Sequence, residues 1–244
     1  MSSASHDTSA GAVHPLRTLL REAAPADAAL IVLGGTLSHG PVTLRIVEVE
    51  AYGGPPDSEY PDPAAHTWPG IKPRNEVMFG DAGHLYVYLS HGIHQCVNIT
   101  CRPAGEGGGV LLRAARVEEG HDVVEHRRPG IRPRSLARGP GNLGRALGID
   151  LSFRGRDVLS SSSSSMSAPV LLPASRDLTP VTFRPDPVPS RLVASGPRVG
   201  VSREADRPWR FWIDGAPEVS AYRRSPRAPA PVRRAGGSGG DGGQ

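Results

Sequence analysis

The sequence is almost without lysine: of its 28 basic residues only Lys72 is not arginine. Covalent chemistry through an amine therefore rests on that one side chain or on the distant chain terminus. Cysteine is nearly as scarce. Cys96 and Cys101 are too few for a disulfide framework, and their C-x4-C spacing is a poor match to the usual zinc pairs, so reduced thiols are expected. His91, His94 and Cys96 form H-x-x-H-x-C, yet no second ligand pair at a usual separation completes a zinc set, and no metal is expected. The phosphate-binding P-loop and the Rossmann glycine fingerprint are both missing, which removes the sequence case for a nucleotide cofactor. No cofactor is expected. No apolar run approaches the roughly 18 to 20 residues that span a bilayer. The opening MSSASHDTSAGAV lacks the basic start and apolar core of a secretory signal, so a cytoplasmic location without membrane contact is expected.

What is present is 244 residues, suited to one catalytic domain, with 30 Gly and 25 Pro that imply many turns and short elements. The arginine excess suits phosphate pairing and base stacking, but a GC-rich genome writes the same bias, and composition leaves both readings open. Five Arg and one Asp from position 223 onward account for the whole formal net charge of +4. A DNA-binding face must then come from local clustering, and Arg113, Arg116, Arg127, Arg128, Arg132, Arg134 and Arg138 are its candidates. Residues 1–13 are polar and small and read as disordered; 14–222 read as the folded domain, with a flexible low-complexity serine loop near 160–167. Residues 223–244, rich in Arg, Pro and Gly, read as a disordered arm.

Along the domain, Leu16, Leu19 and Leu20 have helical spacing, followed by a turn at Pro25 and a buried helix end or strand over 30–33. The clearest strand is TLRIVEVEAY, where Val47, Val49 and Ala51 alternate with Glu48, Glu50 and Tyr52. A long Pro/Gly loop then carries His66 and Trp68, and loops of that length are usually functional or disordered. GHLYVYLSHGIHQCVNITC reads as a hairpin turning at Ser90, His91 and Gly92, with Tyr86 and Tyr88 on one face of its first strand and His94, Cys96 and Asn98 on one face of its second. Another strand ends at Arg113, and charged sequence of helical character comes after it. It runs to a segment where Leu143, Ala146 and Leu147 could face a core. Strands precede and enclose helices without βαβ alternation. That order predicts an α+β fold with a mainly antiparallel sheet.

Two glutamates at i and i+2 on one strand face, Glu48 and Glu50, could supply a general base or a shared-proton pair, or could be a solvated strand face. Spacing does not choose between them. Tyr52, Trp68, Tyr86, Tyr88 and several histidines fall between 52 and 94 although aromatics are 5% of the chain. Such a cluster could form core, or could sandwich a planar ligand such as a flipped base.

In order and spacing, R-I-V-E-V-E-A-Y at 45–52, D-P-A-A-H at 62–66, P-R-N at 73–75, V-M-F-G at 77–80, G-H-L-Y-V-Y at 83–88 and V-L-L-R-A at 110–114 resemble the alkyladenine (3-methyladenine) DNA glycosylase family. R-G-P-G-N-L at 138–143, A-L-G-I at 146–149 and G-P-R-V-G-V at 196–201 extend the resemblance over about residues 15–220. It implies one compact domain with a curved antiparallel sheet flanked by helices and a protruding hairpin. It implies hydrolysis of the N-glycosidic bond of alkylated or deaminated purines flipped from double-stranded DNA, by a monomer associated with the nucleoid. Glu50, the Glu of E-A-Y, would be the general base and Arg113 would help hold the attacking water. Tyr52, Tyr88 and His66 would enclose the base, Asn98 would discriminate among purines, and Met78 and Val199 would line the pocket or meet DNA. The hairpin-tip residue that fills the gap left by the flipped nucleotide is often Tyr in this family; here it is His91, which stacks but fills less space. Two rivals predict otherwise: a non-catalytic DNA-damage-binding module needs no working glutamate, and a metal-dependent hydrolase would use His91, His94 and Cys96.

Overall fold

A computed structural model describes residues 14–160 and 179–230. The expected disorder of 1–13, the serine run beyond Ser160 and the end of the arm at 231–244 lie outside the described residues. Among the described residues four α-helices, α1 (Pro15–Glu22), α2 (Pro25–Val32), α3 (His121–Arg127) and α4 (Pro140–Leu147), accompany eight strands. The strands are β1 (Thr36–His39), β2 (Val42–Tyr52), β3 (Leu85–Ser90), β4 (His94–Thr100), β5 (Gly109–Glu119), β6 (Val181–Arg184), β7 (Val193–Gly196) and β8 (Arg210–Ile213). They form one curled antiparallel sheet in the order β3-β4-β5-β2-β1-β6, while β8 pairs with β2 past the end of β1 and carries β7 on its other edge. The fold is α+β, as the strand pattern predicts.

The first two helices begin at prolines, whose fixed φ suits the first helical turn and whose missing N–H costs nothing there. Pro25 thus opens α2 instead of only turning the chain, and the apolar run at 30–33 is the end of that helix. Leu16 and Leu20 are buried on α1, but Leu19 is 54% exposed, because i and i+4 share a face and i+3 here falls at its margin. The helices cover the core face of the sheet, where Leu44, Ile46, Val49, Ala51, Val110, Leu112, Ala115 and Val117 join one apolar cluster.

That set of core residues breaks strict alternation in both central strands, and two bulges explain how. In β2 the core positions run 44, 46, then 49, 51; in β5 they run 110, 112, then 115, 117. Ile46 pairs with Ala115, Glu48 with Ala114 and Val49 with Leu112, so Val47 and then Arg113 are left without a partner across the ladder. Each bulge inserts one residue and re-aims the side chains beyond it. With perfect alternation Glu48 and Glu50 would share the face of Leu44 and Ile46; the displacement at Val47 turns both away from the core. The strand expected to end at Arg113 instead continues to Glu119, since Arg113 is the bulged residue and pairing resumes after it.

The hairpin of β3 and β4 closes through Ser90–Ile93, with the Ile93 N–H donating to the Ser90 carbonyl at 3.1 Å. His91 and Gly92 both have positive φ, +50° and +72°, the sign that tight hairpin turns of the primed type require. Helix α4 lies close on β4: a Cβ at Gly144 would stand 2.2 Å from the Gln95 carbonyl oxygen, so only glycine allows this approach. Leu143, Ala146 and Leu147 are all fully buried, as expected.

The arginine stretch 113–138 is largely committed to the fold. Arg116 pairs with Glu218, Arg127 donates to the Ala146 carbonyl, Arg138 donates twice to the Val219 carbonyl, and Arg128 is buried. Arg132 and Arg134 stay exposed. The arm read as unfolded from 223 is partly docked: the Arg223 carbonyl accepts from the Gly200 N–H, and Arg224 pairs with Asp206 at 2.6 Å.

Candidate active site

The two bulges bring four charged side chains together on the face opposite the core. Arg113 donates through Nε to Glu48 Oε1 at 3.1 Å, while its Nη1 lies 3.4 Å from Glu50 Oε1. Arg210, opposite Glu50 on β8, donates to the same Glu48 oxygen at 2.7 Å. Both glutamates are fully buried and both arginines nearly so, which excludes the solvated strand face. Isolated buried charges would be prohibitively costly; two anions and two cations in contact are formally neutral. Burial works against the Arg113 charge, but the charges of Glu50 and Glu48 outweigh it and hold its pKa above the ordinary value.

The glutamates differ in what surrounds them. Glu48 also accepts from the Ser220 N–H at 2.8 Å and the Ser220 hydroxyl at 2.9 Å, so of its partners only Arg113 reaches the cleft, and Arg210 and Ser220 stand outside it. Glu50 accepts from the Tyr52 hydroxyl at 2.8 Å and from the Val199 N–H at 2.7 Å. Tyr52, Val199 and Arg113 all form cleft walls, so Glu50 lies directly behind that surface. Burial first, and then the negative charge of Glu50, raise the Tyr52 pKa well above the usual phenol value, so its hydroxyl stays a donor.

The cleft has a volume of about 630 Å³, a size that takes a drug-sized or nucleobase-sized ligand. Cross-strand pairing sets Tyr86 opposite Asn98, Tyr88 opposite Cys96 and Ser90 opposite His94, which places the hairpin's tyrosines and Asn98 on one wall. Tyr88 stacks on Tyr86 with ring centroids 5.7 Å apart and planes 25° apart. His66, carried by the loop after β2, meets the Tyr88 ring edge-on at 4.6 Å, and its Nδ1 hydrogen-bonds the Tyr86 hydroxyl at 2.9 Å. Surrounding protein, then the charge of Arg74, lower the His66 pKa below its usual value. The Asn98 amide nitrogen donates to the Tyr86 carbonyl at 3.0 Å, which fixes the side chain's orientation. Met78 closes the floor, and the exposed His91 stands at the rim.

The residues that the resemblance singles out meet at one place: Tyr52, His66, Met78, Tyr88, His91, Asn98, Arg113 and Val199 line the cleft, and Glu50 backs it. Trp68 and Lys72 do not line it. Among the described residues no group of three or more His, Cys, Asp or Glu side chains is arranged to hold a metal ion. Sequence reasoning missed Arg210 and Ser220, whose distance along the chain from Glu48 gave no signal. It placed Val199 only as lining the pocket or meeting DNA, and gave no sign that its backbone N–H bonds Glu50.

No described helix is long and apolar enough to cross a membrane. Comparison with known proteins agrees with the geometry. The family model described as methylpurine-DNA glycosylase matches residues 20–217. A protein of Nocardia farcinica is 54% identical over 206 residues, covering 84% of this chain and 90% of the relative. One from Rhodococcus jostii is 54% identical over 210 residues, 86% of each. One from Mycobacterium tuberculosis is 49% identical over 207 residues, 84% of this chain and 93% of its own. All three are provisionally named 3-methyladenine DNA glycosylase. With this cleft, these motifs and matches across most of its length, the chain belongs to the methylpurine-DNA glycosylase family.

Proposed function

We propose that the chain is a base-excision repair enzyme that flips an alkylated or deaminated purine out of double-stranded DNA and hydrolyses its N-glycosidic bond, leaving an abasic site. The observation that carries this reading is Glu50, held by Tyr52, Val199 and Arg113 immediately behind an aromatic cleft. The C1′–N bond lengthens first and the sugar gains positive charge, as in other glycoside hydrolyses. The carboxylate stabilises that charge, and takes a proton from the water that adds to C1′. Arg113 orients that water beside Glu50. A cationic alkylated purine leaves without further help, while a neutral lesion such as hypoxanthine must gain a proton as it departs.

Tyr52, Tyr88 and His66 provide the surfaces between which a flipped purine stacks, a contact worth about 1 to 3 kcal/mol per base. Asn98, oriented by the Tyr86 carbonyl, reads the exocyclic group of that purine. His91 enters the minor groove and occupies the space the nucleotide vacates. One chain supplies the pocket, the base and the wedge, which supports a monomer acting on nucleoid DNA in the cytoplasm. The catalytic domain runs from residue 14 to 222.

The test is incubation with duplex oligonucleotides, each carrying one modified purine, followed by alkaline cleavage. Strand breaks at the lesion for the native enzyme, and none for Glu50→Gln, are expected. Binding of damaged DNA without base release would instead identify a damage-binding module.

A further inference from the structure

Asp62 and Arg198 form an ion pair in which neither side chain has any solvent exposure. Arg198 reaches Asp62 with two arms, Nη1 to Oδ2 at 2.6 Å and Nη2 to Oδ1 at 2.9 Å. The Asp62 carboxylate also accepts from the N–H groups of Gly53 at 3.0 Å and Ala64 at 3.1 Å. Arg198 Nη1 further donates to the Ala51 carbonyl at 3.0 Å. A buried pair of this kind adds little stability over apolar residues of the same volume, because desolvation offsets the attraction. Its value lies in direction, since planar two-armed contacts fix the parts they join.

Those parts are three of the segments that line the cleft. Ala51 and Gly53 flank Tyr52 at the end of β2. Asp62 and Ala64 belong to the loop that carries His66. Arg198 directly precedes Val199, whose N–H is bonded to Glu50. The Arg198 guanidinium also sits 4.7 Å from the centre of the Tyr52 ring. Tyr52 is a cleft wall and Arg198 is not, so the cation backs the ring from the protein side.

We propose that Asp62 and Arg198 are positioning residues, whose pair holds the Val199 N–H against Glu50 and sets the plane of Tyr52 before DNA arrives. The role rests on Glu50 as the general base. Small displacements of a catalytic group matter: roughly 1 Å can cost about 100-fold in rate.

The experiment uses the full chain with Asp62→Asn and Arg198→Lys, the latter keeping the charge but losing the two-armed plane. Amide hydrogen exchange is followed by NMR, and single-turnover base release is compared with affinity for a duplex carrying an abasic-site analogue. Exchange at Val199 should quicken at least about 10-fold while amides of β2 and β5 keep their protection. Base release should fall about 10- to 100-fold with affinity changed by less than about threefold. A folded variant with native rate and native Val199 protection would overturn the proposal, as would loss of protection across the whole sheet. If Asp62→Asn does not fold, Arg198→Lys carries both readouts. Should the native enzyme release no base, the assignment of Glu50 fails, and exchange at Val199 still decides whether the pair positions that amide.

Discussion

Arg113 stands between two carboxylates, its Nε 3.1 Å from Glu48 and its Nη1 3.4 Å from Glu50, and the contacts divide their work. Glu48 is enclosed by Arg113, Arg210 and Ser220; Glu50 faces the cleft wall. Glu50→Gln keeps one oxygen for the Val199 N–H and turns its amide NH2 to the Tyr52 hydroxyl, which can accept from it, but loses the charge and the basicity. Its base-release rate should fall by roughly 10²- to 10⁴-fold, with a smaller loss of thermal stability than Glu48→Gln because Glu50 has only one cation partner among the described residues, at 3.4 Å. Glu48→Gln leaves buried arginines uncompensated and should destabilise the fold by about 3 to 5 kcal/mol. Equal loss of stability in both variants would contradict this division.

Lys72 is the sole lysine and is exposed, in the loop that also carries Arg74, away from the cleft. Lys72→Ala should release bases at the native rate, and borohydride should trap no protein–DNA adduct, because hydrolysis through water needs no amine. A trapped adduct that disappears in the variant would show a lyase step.

The wedge at the hairpin tip is smaller than a tyrosine. His91→Ala should lower the flipped fraction about 10-fold, part of the few kcal/mol that unstacking costs. A fluorescent base beside the lesion reports it. His91→Tyr should match or exceed the native enzyme. The backbone at 91 tolerates these changes unequally, since its positive φ suits His better than Ala. Unchanged flipping in both variants would remove His91 from the role.

His66 should titrate by NMR below the usual histidine range, because its surroundings first, and Arg74 second, disfavour the imidazolium. Arg74→Gln should raise that pKa while leaving it below the ordinary value. A folded-state pKa below the unfolded one means that the unfolded chain binds more protons, so this contribution to stability is present above the unfolded pKa. It is lost as pH falls through the folded one. Stability rising on acidification across that window would contradict the sign.

Much of the site is readable in the sequence because its parts sit on short-range patterns. Glu50 and Tyr52 share a strand face, and the Tyr88 and Asn98 positions follow from a period of two around a tight turn. The choice of Glu50 over Glu48 comes only through resemblance; in the structure the chemical neighbours make it, and those neighbours lie as far away as Val199, Arg210 and Ser220. The continuation of β5 beyond Arg113 is hidden because a charged residue in an apolar run looks like a strand end, whereas a bulge can turn it to the other face. The arginines of 113–138 look alike as a basic stretch, but their partners, such as Glu218 and Val219, are remote in sequence.

The offsetting bulges at Val47 and Arg113 tie the two central strands to a shared count of residues. Deleting Val47 alone would leave the other side chains of β2 in strict alternation on their native faces, but Arg113 would then stand as an extra residue with no counterpart across the ladder. Removing Val47 and Arg113 together would restore a regular ladder with both glutamates still off the core face but without the cation between them, whereas keeping both residues and losing both bulges would carry Glu48, Glu50 and Arg113 into the apolar layer. The irregularity in the ladder, more than the length of either strand, is therefore what keeps three charges out of the apolar layer. A variant lacking both Val47 and Arg113 should keep the glutamates on the cleft side of the sheet yet lose base release with the missing guanidinium, and native activity in it would contradict the role given to Arg113.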